Sequence, residues 1–390
     1  MNLKAIKFSR FNGQKNEWSI EGKPANGVFN QWVTFENINL IVGKNATGKS
    51  KTVNAIRTLA DLLIGNVKLS NLIYNTSTYH VEFEDNGEII EYFLDFQDGK
   101  IKQEILKIGN EEKLNRAESK LFYTQINGFL SFKMEDDKLA VSRVDSKQQP
   151  FFEPLYNWGK NLSHYRFGGQ LGKNNLLRDV NAVKHDEEVD LKDNEETNVS
   201  EIFIRGDRKF GDLFEKTVMS DMEKISYNIN GISTTTLRFL PVSAFGLGVQ
   251  ESDVDVMTDQ REMSQGMFRA LSLIVQLNYS LLSKIPSCIL IDDIGEGLDF
   301  ERSKSLIDLI IEKVKDSSVQ VIMTTNDRFV MNKIPLEYWS VIHRVPKKTL
   351  FYNYRNSKEV FEEFKYTGLS NFDFLSTEFY FEGFENQEQI

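Results

Sequence analysis

Cysteine is almost absent from this chain of 390 residues, and histidine and proline are scarce: one, four and seven respectively. The lone thiol, Cys288, lies in an apolar run, so a disulfide framework and a cysteine-based metal site are both excluded. His164, His185 and His343 are too scattered to suggest a ligand cluster. Long apolar runs are missing too. No stretch approaches the ~18 uninterrupted apolar residues of a membrane span, and "MNLKAIKFSRFNG" has no apolar core of signal-peptide length. These absences lead us to expect a soluble protein of the reducing cytoplasm with no membrane partner. Positive charge is in deficit as well: the formal net charge is -10 and the pI about 5.2. Broad, nonspecific nucleic-acid binding is disfavoured by that balance, although a local basic groove is not excluded. Much of the excess acid falls in "KHDEEVDLKDNEETN" (184–198), which has no apolar periodicity and reads as a solvated loop.

What is present suffices for a real core: 40% of residues are apolar, in a chain long enough for one large or two ordinary domains. Residues 41–50 read "IVGKNATGKS", which fits G-x-x-x-x-G-K-[ST] with Gly43, Gly48, Lys49 and Ser50. Its context fits too. Ile38, Leu40, Ile41 and Val42 form the apolar run of a buried strand, and Val53, Ile56, Leu59, Ala60 and Leu63 recur at helical spacing until Gly65. A strand, a glycine-rich loop and a helix start converge backbone N–H groups on one anion. The expected roles follow from charge and reach. Gly43 and Gly48 let the backbone close on a β-phosphate, Lys49 bridges β- and γ-oxygens, and the Ser50 hydroxyl holds magnesium. Lys44, Asn45, Ala46 and Thr47 complete the expected nucleotide-binding segment, with Lys51 and Thr52 in the first helical turn.

Further on, "SCILIDDIGEGLD" (287–299) is an apolar strand ending in two acids. Asp292 suits the magnesium-side carboxylate, and Asp293 a group that orients attacking water. Before it stands "EMSQGMFRALSLIVQLNYSLL" (262–282), where Phe268, Leu271, Ile274, Val275, Leu277 and Leu281 recur at helical spacing. Ser264 and Gly266 then occupy a helix N-terminus, a place that attracts phosphate. After both comes "VQVIMTTND" (319–327), another apolar strand with a polar end.

The order of phosphate loop, S-x-G helix, acidic strand and polar-ended strand resembles the ABC-type ATPase superfamily. In that superfamily the helix is the signature motif, usually L-S-G-G-Q, and Met263, Ser264, Gln265, Gly266 and Met267 stand in its places. Arg269 fits the S-x-G-x-x-R form of the non-transporter branch. "GEGLD" resembles the D-loop, with Asp299 as its aspartate, and Asn326 falls where the switch histidine usually is. An AAA+ motor would carry its acidic strand much closer to the phosphate loop, with no signature helix between. The long interval from Lys49 to Ser264 is similar to the RecF/SMC/OLD-like branch. It contains strand-like "YHVEFEDNGEIIEYFLDF" and turns but no sustained heptads, which indicates a compact lobe. A further likeness is to the small "AAA family" ATPases of bacterial defence systems, which often work beside a separately encoded effector.

That resemblance implies an α/β P-loop NTPase: an ABC-type ATPase head with a mixed sheet, an antiparallel β-subdomain, a helical signature region and a compact inserted lobe. The implied parts are 1–65 with the phosphate loop, 66–245 with the β-subdomain and lobe, 246–345 with the signature, acidic strand, D-loop and switch strand, and 346–390 as a C-terminal extension. It implies ATP and magnesium as ligands, with Lys49, Asp293 and Asn326 as catalytic side chains. Ser264 and Gly266 of one copy would cap the γ-phosphate on another copy's loop, giving an ATP-dependent homodimer. Four residues depart from the usual pattern. Asp293 replaces a glutamate, with Glu296 as a substitute; Asn326 cannot become a cation; Ala46 replaces a common glycine and Lys51 a common hydroxyl residue. Together they favour a slow switch over a fast motor. The aromatic "KYTGLSNFDFLSTEFYFEGF" is expected to pack on its own domain rather than dock a partner. Arg10 and Phe11 resemble base-approaching residues, and neither Gln103 nor Gln125 stands out as a magnesium-side glutamine. Two rivals stay open: a RecF-like ATPase that clamps DNA, and a nucleotide-binding scaffold that scarcely hydrolyses.

Overall fold

A computed structural model describes residues 1–25, 27–143, 145–169, 171–183, 198–237 and 244–383. His185 and all but the last residue of the acidic run at 184–198 lie outside them. The chain folds into two units, Met1–Leu162 with Ile334–Ile390, and Ser163–Lys333. The interval 66–245 therefore contributes to both.

In the first unit, β1 (Asn2–Arg10) buries Leu3, Ile6 and Phe8. It pairs antiparallel with β2 (Trp18–Gly22), the short β3 (Val33–Thr34) and, farther along, β5. Strand β4 (Ile38–Val42) is buried at every residue, and α1 (Lys49–Leu63) follows it. The next six strands form an antiparallel meander: β5 (Ser77–Asp85), β6 (Glu88–Gln97), β7 (Lys100–Ile108), β8 (Glu111–Asn115), β9 (Lys120–Tyr123) and β10 (Gly128–Ser131). Its first two hairpins turn on Asn86-Gly87 and Asp98-Gly99, all four residues at positive φ. Asn-Gly and Asp-Gly pairs suit such turns because their backbone twist matches that of the flanking strands. Tyr79, Val81, Phe83, Tyr92, Leu94 and Phe96 are buried on one face. Helix α1 meets that face through the Tyr79 hydroxyl, which donates to the Ala55 carbonyl at 3.3 Å. Trp158 of α2 (Glu153–Lys160) meets it edge-on against Phe83.

The chain then builds the second unit. It opens at Ser163, within β11 (Leu162–Arg166), and the paired helices α3 (Val199–Phe210) and α4 (Asp212–Lys224) follow. β12 (Ile229–Thr236), β13 (Phe245–Glu251) and β14 (Thr258–Asp259) form an antiparallel sheet. Helix α5 (Gln265–Ser283) is the unit's centre, with Phe268, Leu271, Ile274 and Val275 fully buried. Strand β15 (Ser287–Asp292), helix α6 (Phe300–Val314) and strand β16 (Val319–Thr324) follow. β15 lies between β11 and β16, parallel to the latter with Ile289 opposite Val321, and α7 (Arg328–Lys333) closes the unit.

Back in the first unit, β17 (Trp339–Val345) runs parallel to β4 and antiparallel to β18 (Lys348–Asn353), which runs parallel to β2. The sheet is thus mixed. Helices α8 (Lys358–Lys365), α9 (Asn371–Ser376) and α10 (Phe379–Glu382) bring Phe361, Phe364, Phe374 and Phe379 into one set of edge and tilted ring contacts. The aromatic tail thus packs on its own unit, with Tyr380 on β18's Tyr352.

Candidate nucleotide-binding and acidic sites

Between β4 and α1 the loop closes tightly. A Cβ on Gly43 would lie 2.5 Å from Ile342 Cγ1. Gly48 has φ +121°, and a Cβ there would meet Thr349 Oγ1 at 3.0 Å. Any side chain at either place would force the loop open. The Lys49 ammonium, on a buried side chain, donates to the Gly43 carbonyl at 2.8 Å and more loosely to that of Lys44 at 3.4 Å. The N-cap of α1 is Gly48, which has no side chain to cap the helix. These features fit a polyphosphate: a cradle that a Cβ would fill, a cation poised on loop carbonyls, and an uncapped helix start. Ala46, in place of the usual glycine, has φ +62°. A left-handed alanine costs roughly 1–2 kcal/mol, so this departure places strain in the loop itself.

Four side chains that the sequence did not single out hold the loop from behind. The Thr349 hydroxyl donates to the Thr47 carbonyl at 2.9 Å and accepts from the Trp18 indole at 3.1 Å. Arg344 donates to the Ala46 carbonyl at 2.9 Å, and Glu378 pairs with Lys44. Arg10 lies close by but faces aromatic rings, its guanidinium 3.7 Å from the centre of Tyr74.

In the second unit Asp292 ends β15, Asp293 follows it, and both are gripped by β16. Asp292 accepts from the Thr324 hydroxyl at 2.6 Å, while the Asp293 N–H donates to that same hydroxyl at 2.9 Å. Asp293 has φ +57°, a conformation aspartate tolerates better than most residues. The Asn326 amide donates to its carboxylate at 3.1 Å. On β15's other side, the Phe167 N–H donates to the Asp292 carbonyl at 2.9 Å. Asp292, Asp293 and Asn326 are therefore brought together. Among the described residues no group of three or more His, Cys, Asp or Glu is placed to hold a metal. Magnesium, however, is commonly held by one or two protein oxygens with phosphates and water.

The signature helix and D-loop also meet. Ser264 caps α5, its hydroxyl accepting from the Met267 N–H at 3.1 Å, and Asp299 caps α6, accepting from the Arg302 N–H at 2.9 Å. Arg269 reaches from α5 to the Glu296 carbonyl at 2.7 Å and the Gly169 carbonyl at 3.2 Å. Burial lowers its pKa and the nearby Glu296 opposes that shift. A Cβ on Gly297 would sit 2.0 Å from the Arg269 guanidinium, and one on Gly266 2.7 Å from the Gly297 carbonyl. The start of α5 and the D-loop turn thus fit each other only with glycine at both positions.

A phosphate loop opening a helix in one unit, and a serine-capped helix fitted to an acid-ended strand and D-loop in the other, define a P-loop ATPase of the ABC/SMC-head type. The family model described as "AAA domain, putative AbiEii toxin, Type IV TA system" matches residues 38–332, and the chain belongs to that family. Among solved structures, an Smc head bound to the C-winged helix domain of ScpA shares the fold, with a TM-score of 0.50 at 16% identity over 90% of this chain and 97% of that one. The Smc head domain from Thermotoga maritima matches at 15% identity over 90% and 98% of the two chains, TM-score 0.42. An Smc head with an extended coiled coil from Pyrococcus furiosus, bound to the C-terminal domain of ScpA, matches at 13% over 93% and 99%, TM-score 0.47. No curated protein matches the sequence. Among the described residues no helix is long and apolar enough to cross a membrane.

Proposed function

We propose that this chain binds and slowly hydrolyses ATP, that two copies close around the nucleotide, and that the closed pair acts in the cytoplasm as sensor or regulator of a separate effector protein in an anti-phage defence system. The observation that carries the nucleotide step is the closed loop at Gly43–Ser50, with Lys49 poised on its carbonyls. In this reading the loop amides and Lys49 hold the β- and γ-phosphates, and Lys44, Asn45, Ala46, Thr47, Lys51 and Thr52 complete the segment around them. Ser50 and Asp292 are the magnesium ligands. Magnesium, when bound, neutralises charge on the phosphate oxygens. Asp293 orients the attacking water. Its carboxylate accepts one of the two amide N–H donors of Asn326, which leaves the other for a phosphate oxygen; the shorter aspartate and the uncharged asparagine are what favour slow turnover.

The dimer step is supported by Ser264. Its hydroxyl oxygen accepts from Met267, which leaves the hydroxyl proton for a partner copy's γ-phosphate, beside amides at the start of α5 near Gly266. ADP offers those donors nothing, so closure follows the γ-phosphate. ATP at ~100 times its Kd contributes about 2.7 kcal/mol per site, and two sites about 5 kcal/mol, enough to move a dimer equilibrium. The family description's mention of a toxin and a type IV TA system supports a defence role.

The test is molar mass by light scattering, without nucleotide and with ATP and magnesium, for wild type, Lys49→Ala and Asp293→Asn. The expected result is a wild-type dimer only with ATP, none for Lys49→Ala, and a persistent dimer for Asp293→Asn. A monomer throughout would sink the dimer step.

A further inference from the structure

Three consecutive residues at the end of β16 hold the turn at residues 292–294. The fully buried Thr324 uses its one hydroxyl twice, giving its proton to Asp292 at 2.6 Å and accepting the Asp293 N–H at 2.9 Å. Its carbonyl accepts the Ile294 N–H at 2.9 Å, and the buried Thr325 hydroxyl donates to the Ile294 carbonyl at 3.1 Å. Asn326 completes the set on the Asp293 carboxylate at 3.1 Å. A buried hydroxyl at a strand end needs one partner, and a carbonyl there pairs with the neighbouring strand as a matter of course; this hydroxyl has two partners, one on each acid. Here a single oxygen fixes a carboxylate rotamer on one acid and a left-handed backbone on the next.

We propose that Thr324 is the positioning residue for both acids, setting Asp292 for magnesium and Asp293 for water through one hydroxyl. The proposal rests on the ATPase reading above. Thr324 touches neither ligand and acts through the two aspartates. A hydrogen bond to a metal-ligating carboxylate fixes its orientation, and loss of such a partner typically costs 10–100-fold in metal affinity or activity. Serine keeps the hydroxyl and valine keeps the shape without it. Their difference separates positioning from packing.

The experiment titrates Mn2+ by electron paramagnetic resonance, in the presence of a non-hydrolysable ATP analogue, for wild type, Thr324→Val, Thr324→Ser and Asp292→Asn, with ATP turnover measured alongside. Thr324→Val is expected to lose about tenfold or more in Mn2+ affinity and a similar factor in turnover, with metal-free nucleotide affinity changed less than about twofold, while Thr324→Ser stays near wild type. Wild-type metal affinity in Thr324→Val, or equal losses in Val and Ser, overturns the proposal. Should the valine variant not fold, Thr324→Cys replaces it: a thiol is a weak donor, so unchanged Mn2+ affinity there also overturns it. If Asp292→Asn binds Mn2+ as wild type does, the magnesium assignment fails instead.

Discussion

The phosphate loop and the acid turn are both short connections after buried strands, yet they are held in different ways. The loop's supports come from far along the chain: Thr349 reaches Thr47 across 302 positions and Arg344 reaches Ala46 across 298. The acid turn is held by the adjacent parallel strand, where Thr324 is 31 positions from Asp293. The helix starts differ in the same sense. α1 has no side-chain cap, whereas α5 and α6 are capped by Ser264 and Asp299. A helix that opens on a glycine has no N-cap side chain to compete with an anion, whereas the acid turn's Asp293 and Ile294 N–H groups are already taken by Thr324.

That contrast can be broken most strongly at Lys49. Lys49→Ala should lower ATP affinity by on the order of 100-fold or more in calorimetric titration, because it removes the loop's buried cation while the backbone cradle stays. Next is Gly297→Ala, which drives a methyl into the Arg269 guanidinium from a residue at φ +78°. It should cost about 1–3 kcal/mol in denaturant unfolding, and a variant as stable as wild type would show that the signature–D-loop fit is loose. Smaller and of opposite sign is Ala46→Gly. Relief of roughly 1–2 kcal/mol of left-handed strain, less the entropy glycine adds to the unfolded chain, leaves a gain of about 0.5 kcal/mol or a small rise in Tm. The smallest effect is expected from Glu378→Gln. It removes a carboxylate beside Lys44 and should tighten ATP binding about two- to threefold at low salt, fading as salt rises.

Most of the candidate-site residues were legible because each motif is local. Four residues of a glycine pattern, a serine before a periodic helix, and two acids after an apolar run announce themselves within ten or so positions, and the Asn-Gly and Asp-Gly pairs announce the hairpins of the meander. Trp18, Arg344, Thr349 and Glu378 gave no such signal. Each is an ordinary residue until β2, β17, β18 and the start of α10 come to lie near the loop. Thr324 lies inside "VQVIMTTND" with no signal of its own, since a threonine in a strand is common for packing alone. The division of the chain was equally hidden. Continuity in sequence gave no sign that the interval 66–245 would contribute a meander to one unit and α3 and α4 to the other. Asn326 was legible as a position, but its bond to Asp293 was not.

The supports of the phosphate loop also set an order in time. A ribosome adding about 5–20 residues per second finishes Gly43–Ser50 roughly 15–60 s before Arg344 and Thr349 emerge. Throughout that interval the motif exists as sequence without the strands that hold it. In the reading proposed above, nucleotide binding waits on β17 and β18, and a chain cut short before β18 would carry the glycine pattern without the Thr349 bond that holds Thr47.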